Sequence, residues 1–103
     1  MQTTDSLIGA LLDDACLTLE ELSRVAAVPP DWVIEHVREG LLSVSGESPS
    51  AWRFGSRELW RVRQMRRFER DFDAVPELAA LVADLLEELD EMRAQMRRAG
   101  MGS

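Results

Sequence analysis

LTLEELSRVAAVPPDWVIEHVREGLL, residues 17–42, decides how this chain folds. Thr18-Leu19-Glu20-Glu21 is a capping-box pattern: the threonine hydroxyl accepts from the third helical amide and Glu21 reaches back to the Thr18 amide. Leu19, Leu22, Val25 and Ala26 follow at helical spacing, and Pro29-Pro30 predicts an end near Val28. Pro30 suits the first turn of a second helix, where its missing N–H costs nothing. Val33 and Val37 point that helix inward, with His36 nearby, and Gly40 stops it. Asp31, Ile34, Glu35 and Arg38 lie at i, i+3, i+4 and i+7 and share the outer face, with Glu39 beside them. Two short helices across a tight turn make a helix-turn-helix.

Leu41 to Phe54 then predicts a small β-hairpin wing. Leu42 and Val44 lead in, SGESPS (45–50) turns, and Ala51-Trp52-Arg53-Phe54 leads out, with Trp52 and Phe54 on one face. So small a hairpin must pack its aromatic face on the helices. Ser56 is the expected cap of a third helix. Its apolar stripe is Leu59, Val62, Met65, Phe68 and Phe72, and arginines 61, 63, 66, 67 and 70 crowd the rest. Glu58, Glu69, Asp71 and Asp73 are the acids expected to pair with them, and Trp60 lies off the stripe.

After the break at 73–76, Leu78, Val82, Leu85, Leu89, Met92 and Met96 are spaced 4, 3, 4, 3, 4, a heptad seam. A helix over 76–99 is about 36 Å long, more than a small domain covers, so the seam predicts a dimer interface. The alternative is a helix folded back over its own core. Residues 1–17, with Leu7, Ile8, Leu11 and Leu12 at helical spacing and Gly9 among them, read as a short helix or an added strand. The expected organisation is an N-terminal segment (1–17), a mainly α core with the wing (18–75), a C-terminal coiled-coil helix (76–99) and a short tail (100–103).

Charge constrains the function. The chain of 103 residues carries a net charge of −7, and all twelve basic residues are arginine. Residues 1–50 hold nine acids and two arginines; residues 51–75 reverse the balance, with seven arginines and four acids. A duplex is a dense row of phosphates, and affinity for it comes largely from Lys and Arg. A helix-turn-helix whose second helix carries Asp31, Glu35 and Glu39 has acid where such a reader needs base. The anionic front half is steered toward a basic partner.

Other chemistry finds little support. One cysteine, Cys16, makes neither an internal disulfide nor a multi-cysteine metal site, fits a reducing cytosol and is expected to be a buried apolar residue. His36, the only histidine, has no second metal ligand nearby. Asp13 and Asp14 interrupt the first apolar run, so no membrane segment or signal peptide is expected. No Gly-rich phosphate loop and no Cys–His pair at a recognisable spacing occurs, and Asp13-Asp14 and Glu87-Glu88 are adjacent and do not converge on one substrate atom. The expectation is a protein that is not an enzyme and takes no cofactor or metal.

The order helix, turn, helix, wing, arginine-rich helix and coiled-coil helix resembles the MerR superfamily. LTLEELSRVAAVPPDWVIEHVREGLL matches its helix-turn-helix, and AWRFGSREL (51–59) matches its second wing strand and the start of the next helix. Typical MerR-type readers carry an Arg and two Tyr where this chain has Ile34, Glu35 and His36, although Arg38 and Arg53 remain. No effector domain is expected after the coiled-coil helix, and the cysteines that metal sensors use are missing from these residues. Those departures resemble the CbpM chaperone-modulator family, with its short chain, W-x-F wing strand (Trp52, Phe54), arginine-bearing third helix and terminal DFDAVPELAALVADLLEELDEM (71–92).

That resemblance implies a MerR-like winged helix-turn-helix with a long dimerisation helix, acting in the cytoplasm as a homodimer. It implies binding to the J-domain of a DnaJ-like, CbpA-like co-chaperone, which blocks that domain from engaging DnaK. The DnaK-recognised helix of the J-domain is basic in this family. The matching contact residues here are Asp31, Ile34, Glu35, Arg38 and Glu39, with charge at the rim and Ile34 and Trp32 as apolar area at the centre. The alternative is a MerR-like, nucleoid-associated transcriptional regulator binding DNA weakly through Arg38, Arg53 and the third-helix arginines.

Overall fold

A computed structural model describes residues 16–100, and the expectations for residues 1–15 and for the end of the tail lie outside the described residues. Four helices follow in order: α1 (Leu19–Ala26), α2 (Pro30–Arg38), α3 (Ser56–Asp71) and α4 (Pro76–Arg98).

The capping box forms as its spacing dictates. The Glu21 amide donates to the Thr18 hydroxyl at 3.2 Å, and the Thr18 amide donates to the Glu21 carboxylate at 2.9 Å. α1 ends two residues before the expected Val28. Ala27 takes a left-handed conformation (φ 58°) and the Val28 amide returns to the Ser23 carbonyl at 3.0 Å. This crossed closure satisfies the last carbonyls before the prolines act. Ala27 thus accepts the left-handed strain that a glycine avoids.

The wing differs from a regular hairpin. Between Leu41 and Phe54 the pairing is a single antiparallel bridge, Ser45 with Arg53. Phe54 instead exchanges two backbone hydrogen bonds with Leu17, at 2.7 and 2.8 Å. Two local features shorten the hairpin. Pro49–Ala51 winds into one 3₁₀ turn, and Pro49 has no amide to give to a ladder. Gly46, at φ 108°, lies so close to Ala51 that a Cβ would meet its carbonyl oxygen at 2.4 Å. The alternation nevertheless holds: Trp52 and Phe54 are buried, edge to face at 6.3 Å, and Arg53 points to solvent.

The core gathers Leu22 and Val28 around α1, Val33 from α2, Leu42, Trp52 and Phe54 from the wing, and Leu59, Val62 and Met65 from α3. Two expectations for α3 do not hold. Gly55, not Ser56, is the N-cap, and no side chain bonds there, because Ser56 is already helical. Phe72 lies one residue past the helix and is 69% exposed, stacked on the half-buried Phe68. Cys16 is exposed rather than buried.

α4 turns back along α3 after Asp73, whose φ of 53° makes the corner. It docks through Ala79, Ala80 and Ala83, all buried. Alanines let the two helix backbones approach closely, which larger side chains prevent. Arg57 pairs with Glu87 and Arg61 with Asp84, so the start of α3 lies beside the third and fourth turns of α4. At 1.5 Å per residue α3 is about 24 Å long and α4 about 34 Å, and the last turns of α4 run past α3.

Candidate functional site

α2 is set by its ends. Pro30 occupies its first turn, Asp31 meets the positive end of the helix dipole, and Gly40 at φ 76° terminates it. A Cβ on Gly40 would meet nothing, so conformation alone asks for glycine there. The Leu41 amide closes the turn on the His36 carbonyl at 2.9 Å.

Val33 and His36 are buried, and Val37 is half-buried against the core. Asp31, Glu35, Arg38 and Glu39 are exposed together on α2, and among the described residues none of the three acids forms an ion pair. Ile34 stands apart from them. It is half-buried, with part of its side chain packed on the core, so its apolar area toward solvent is reduced. Trp32 is likewise half-buried rather than free.

The reason is a contact that the sequence pattern did not disclose. Glu69 of α3 accepts from the Trp32 indole N–H at 3.0 Å and lies 2.8 Å from His36 Nε2. His36 Nδ1 donates to the Trp32 carbonyl at 2.6 Å, and the two rings stack with centroids 3.6 Å apart. Glu69 was expected to pair with an α3 arginine. It reaches across to α2 instead, 33 positions away from His36, and no local spacing marks such a pair.

Of the pairings expected for the α3 arginines, the one with Asp71 forms, through Arg70, while Arg61, Arg63 and Arg67 are engaged by other partners. Arg61 holds the Leu41 carbonyl at 2.9 Å and Asp84 at 2.6 Å. Arg63 reaches the Val25 carbonyl, Arg70 pairs with Asp71, and Arg67 lies 5.7 Å over the Phe68 ring. Acids of α4 therefore do much of the pairing expected of Glu58 and Asp73. Burial pushes the Glu58 carboxyl up, against the Ser43 backbone hydrogen bond that lowers it. The Thr18 amide, and then the Thr18 hydroxyl, hold the Glu21 carboxyl below the usual range. A polar groove of 380 Å³ between the Gly40–Ser43 loop, α3 and α4 holds the Arg57–Glu87 and Arg61–Asp84 pairs, with Glu58 as a third acid on its lining.

The seam of α4 forms a second surface. Leu78, Leu85, Leu89, Met92 and Met96 are exposed, Leu85 by 56% and Met92 by 54%, while Val82 is half-buried. Leu81 adds to the same stretch, and Phe72 and Val75 are exposed at the corner before it. No group of three or more potential metal ligands occurs among the described residues, and no described helix is long and apolar enough to cross a membrane.

Comparison with known proteins gives a consistent answer. The family model described as MerR HTH family regulatory protein matches residues 17–99. The chain is 32% identical over 79 residues to the chaperone modulatory protein CbpM of Pseudomonas entomophila (strain L48), covering 77% of this chain and 78% of that protein. It is 28% identical over 81 residues to the CbpM of Coxiella burnetii (strain Dugway 5J108-111), covering 79% and 76%. It is 27% identical over 79 residues to that of Pseudomonas putida (strain W619), covering 77% and 78%. No solved structure matches.

Proposed function

The chain belongs to the CbpM chaperone-modulator family, within the MerR-type helix-turn-helix proteins, and from that premise we propose that it binds the J-domain of a DnaJ-like, CbpA-like co-chaperone and blocks its engagement of DnaK. The contact surface is the outer side of α2: Asp31, Glu35 and Glu39 supply negative charge, Arg38 selects orientation, and the remaining face of Ile34 supplies apolar area. One observation carries this reading. The three acids are exposed along the helix that a nucleic-acid reader would insert into DNA and its C-cap, and among the described residues none of them forms an ion pair. A basic helix fits that surface, and phosphate does not.

The same reading makes the protein a homodimer through Leu78, Val82, Leu85, Leu89, Met92 and Met96. A two-fold dimer uses one self-complementary patch on both copies. Fully burying a Leu or Met side chain is worth about 1.5–3 kcal/mol, so a row of half-exposed ones favours association strongly.

Calorimetric titration of the chain with the cognate J-domain tests the partner. Saturable binding that weakens with salt supports it, and absence of binding at tens of micromolar, about 6–7 kcal/mol of affinity, overturns it. The second reading, a DNA-binding regulator, draws on the exposed Arg38 and Arg53. A shift assay on the protein's own promoter separates the two, since specific DNA binding falls steeply with salt concentration.

A further inference from the structure

We propose that the outer face of α3 is a separate docking surface, built from Arg66, Arg67 and Arg70, that takes a short acidic segment of another protein. Six arginines and three acids lie on this helix, and spacing alone would pair them along it. The fold separates them instead. Arg57 and Arg61 turn to Glu87 and Asp84 of α4. Glu58 lines the polar groove beside those pairs, and Glu69 turns to α2, where it bonds Trp32 and His36. Arg63, Arg66, Arg67 and Arg70 are left at i, i+3, i+4 and i+7, on the side of the helix away from Arg57 and Arg61.

Arg63 is engaged at the end of α1, where it reaches the Val25 carbonyl. Arg70 meets Asp71 at 3.2 Å. Arg66 and Arg67 form no ion pair among the described residues, and Arg67 lies over the Phe68 ring. Arg67 and Arg70 are exposed and Arg66 is half-buried. Like charges three and four residues apart repel along a helix. Glutamine propagates a helix about as well as arginine and carries no such repulsion. The arginine stripe thus works against the helix that bears it, at a place where helix propensity does not ask for charge. Asp71 offsets part of the repulsion, and an anion from outside the chain offsets the rest.

Size and surroundings select carboxylates over a chain of phosphates. From Arg63 to Arg70 the stripe runs about 10 Å at 1.5 Å per residue, close to one screening length in physiological salt. Beyond it the surface turns acidic: Asp31, Glu35 and Glu39 on α2 and Glu88 and Glu91 on α4 are all exposed, and the chain as a whole carries −7. A duplex carries one charge per about 1.7 Å of its axis. Any duplex longer than the stripe brings phosphates over those acids. A peptide with a few carboxylates inside two helical turns ends where the stripe ends.

Arginine is suited to that occupant, because its planar fork holds a carboxylate through two parallel hydrogen bonds. Phe72, 69% exposed and stacked on Phe68, supplies an apolar anchor at the end of the stripe. The α3 surface is distinct from the α2 surface and opposite in charge. α2 offers acid to a basic partner and α3 offers base to an acidic one, so one chain can hold two proteins of opposite charge. The α3 surface requires neither the J-domain nor the dimer.

The experiment titrates the full ¹⁵N-labelled chain, without J-domain, with three probes. The first is an alanine-based peptide of about 15 residues, long enough to hold some helix, with glutamates four positions apart. The second is the same peptide with glutamine in place of glutamate, and the third is a DNA duplex of similar length. Backbone signals are followed at about 20 mM and about 200 mM salt, which brackets strong and weak screening. The glutamate peptide is expected to give saturable shifts centred on residues 63–72 that weaken with salt, and the glutamine peptide none. Arg67→Glu combined with Arg70→Glu changes two exposed positions and should weaken glutamate-peptide binding by about tenfold or more, with an unaltered urea midpoint. Shifts centred elsewhere, or equal responses to the two peptides, overturn the surface, and neither outcome needs a variant to fold. Unchanged affinity in the double variant also overturns it. Tighter binding of the duplex through the same arginines overturns the acidic segment as occupant. No J-domain is present, so failure here is distinct from failure of the function proposed above.

Discussion

α3 and α4 carry similar apolar periodicity and treat it in opposite ways. On α3 the stripe faces in, and Leu59, Val62 and Met65 are buried. On α4 the large residues Leu78, Leu85, Leu89, Met92 and Met96 face out, and the helix docks through Ala79, Ala80 and Ala83. Period locates an apolar face but does not say what covers it. α3 is covered by its own chain. α4 packs on its own chain with its smallest side chains and leaves its largest exposed.

Truncating one residue type on the two helices breaks this contrast most directly. Met65→Ala is expected to cost about 2–5 kcal/mol in urea unfolding, because Met65 is fully buried and a cavity follows. Ala83→Leu, which forces bulk between α3 and α4, should cost about 1–3 kcal/mol by the same measurement. Equal tolerance of Ala83→Leu and Leu85→Ala would reverse the assignment of the two faces of α4.

The surface changes are smaller in stability and larger in association. Met92→Ala should shift protomer stability by less than about 0.5 kcal/mol, since Met92 is half-exposed. Paired with Leu85→Ser, it should return the particle to monomer mass in light scattering. A wild-type chain that is already monomeric at micromolar concentration removes the dimer. Glu35→Arg should leave unfolding unchanged and weaken J-domain binding about tenfold or more, with part of the loss in the association rate.

The smallest effect concerns α1. The Glu21 carboxyl is held below its ordinary range by the Thr18 amide. A lowered carboxyl favours the folded state above the unfolded value, near pH 4.3, and that contribution is lost as pH falls through the folded value. Glu21→Gln, which can still accept from Thr18, should flatten this part of an acid-unfolding curve.

Local signals were legible where local physics sets the outcome. The capping box started α1, Pro30 and Pro76 began α2 and α4, and Trp52 and Phe54 alternated inward. Apart from the wing, shortened by the turn at Pro49–Ala51, the misses were long-range or at ends. Phe54 finds Leu17 rather than a wing strand, and Gly55 rather than Ser56 caps α3. Trp32 lies closer to the core than a helical wheel places it, because Glu69 of another helix holds its indole N–H, and Ile34 is half-buried against the core.

The sequence by itself determined the helices, the acidic character of α2 and the apolar character of the α4 seam, since caps, prolines and spacing act within a few residues. The tertiary structure decided which faces meet. Small alanines let α4 approach α3, and a carboxylate from a distant turn satisfied buried ring nitrogens. Both depend on distances between segments far apart in the chain, which no local pattern encodes.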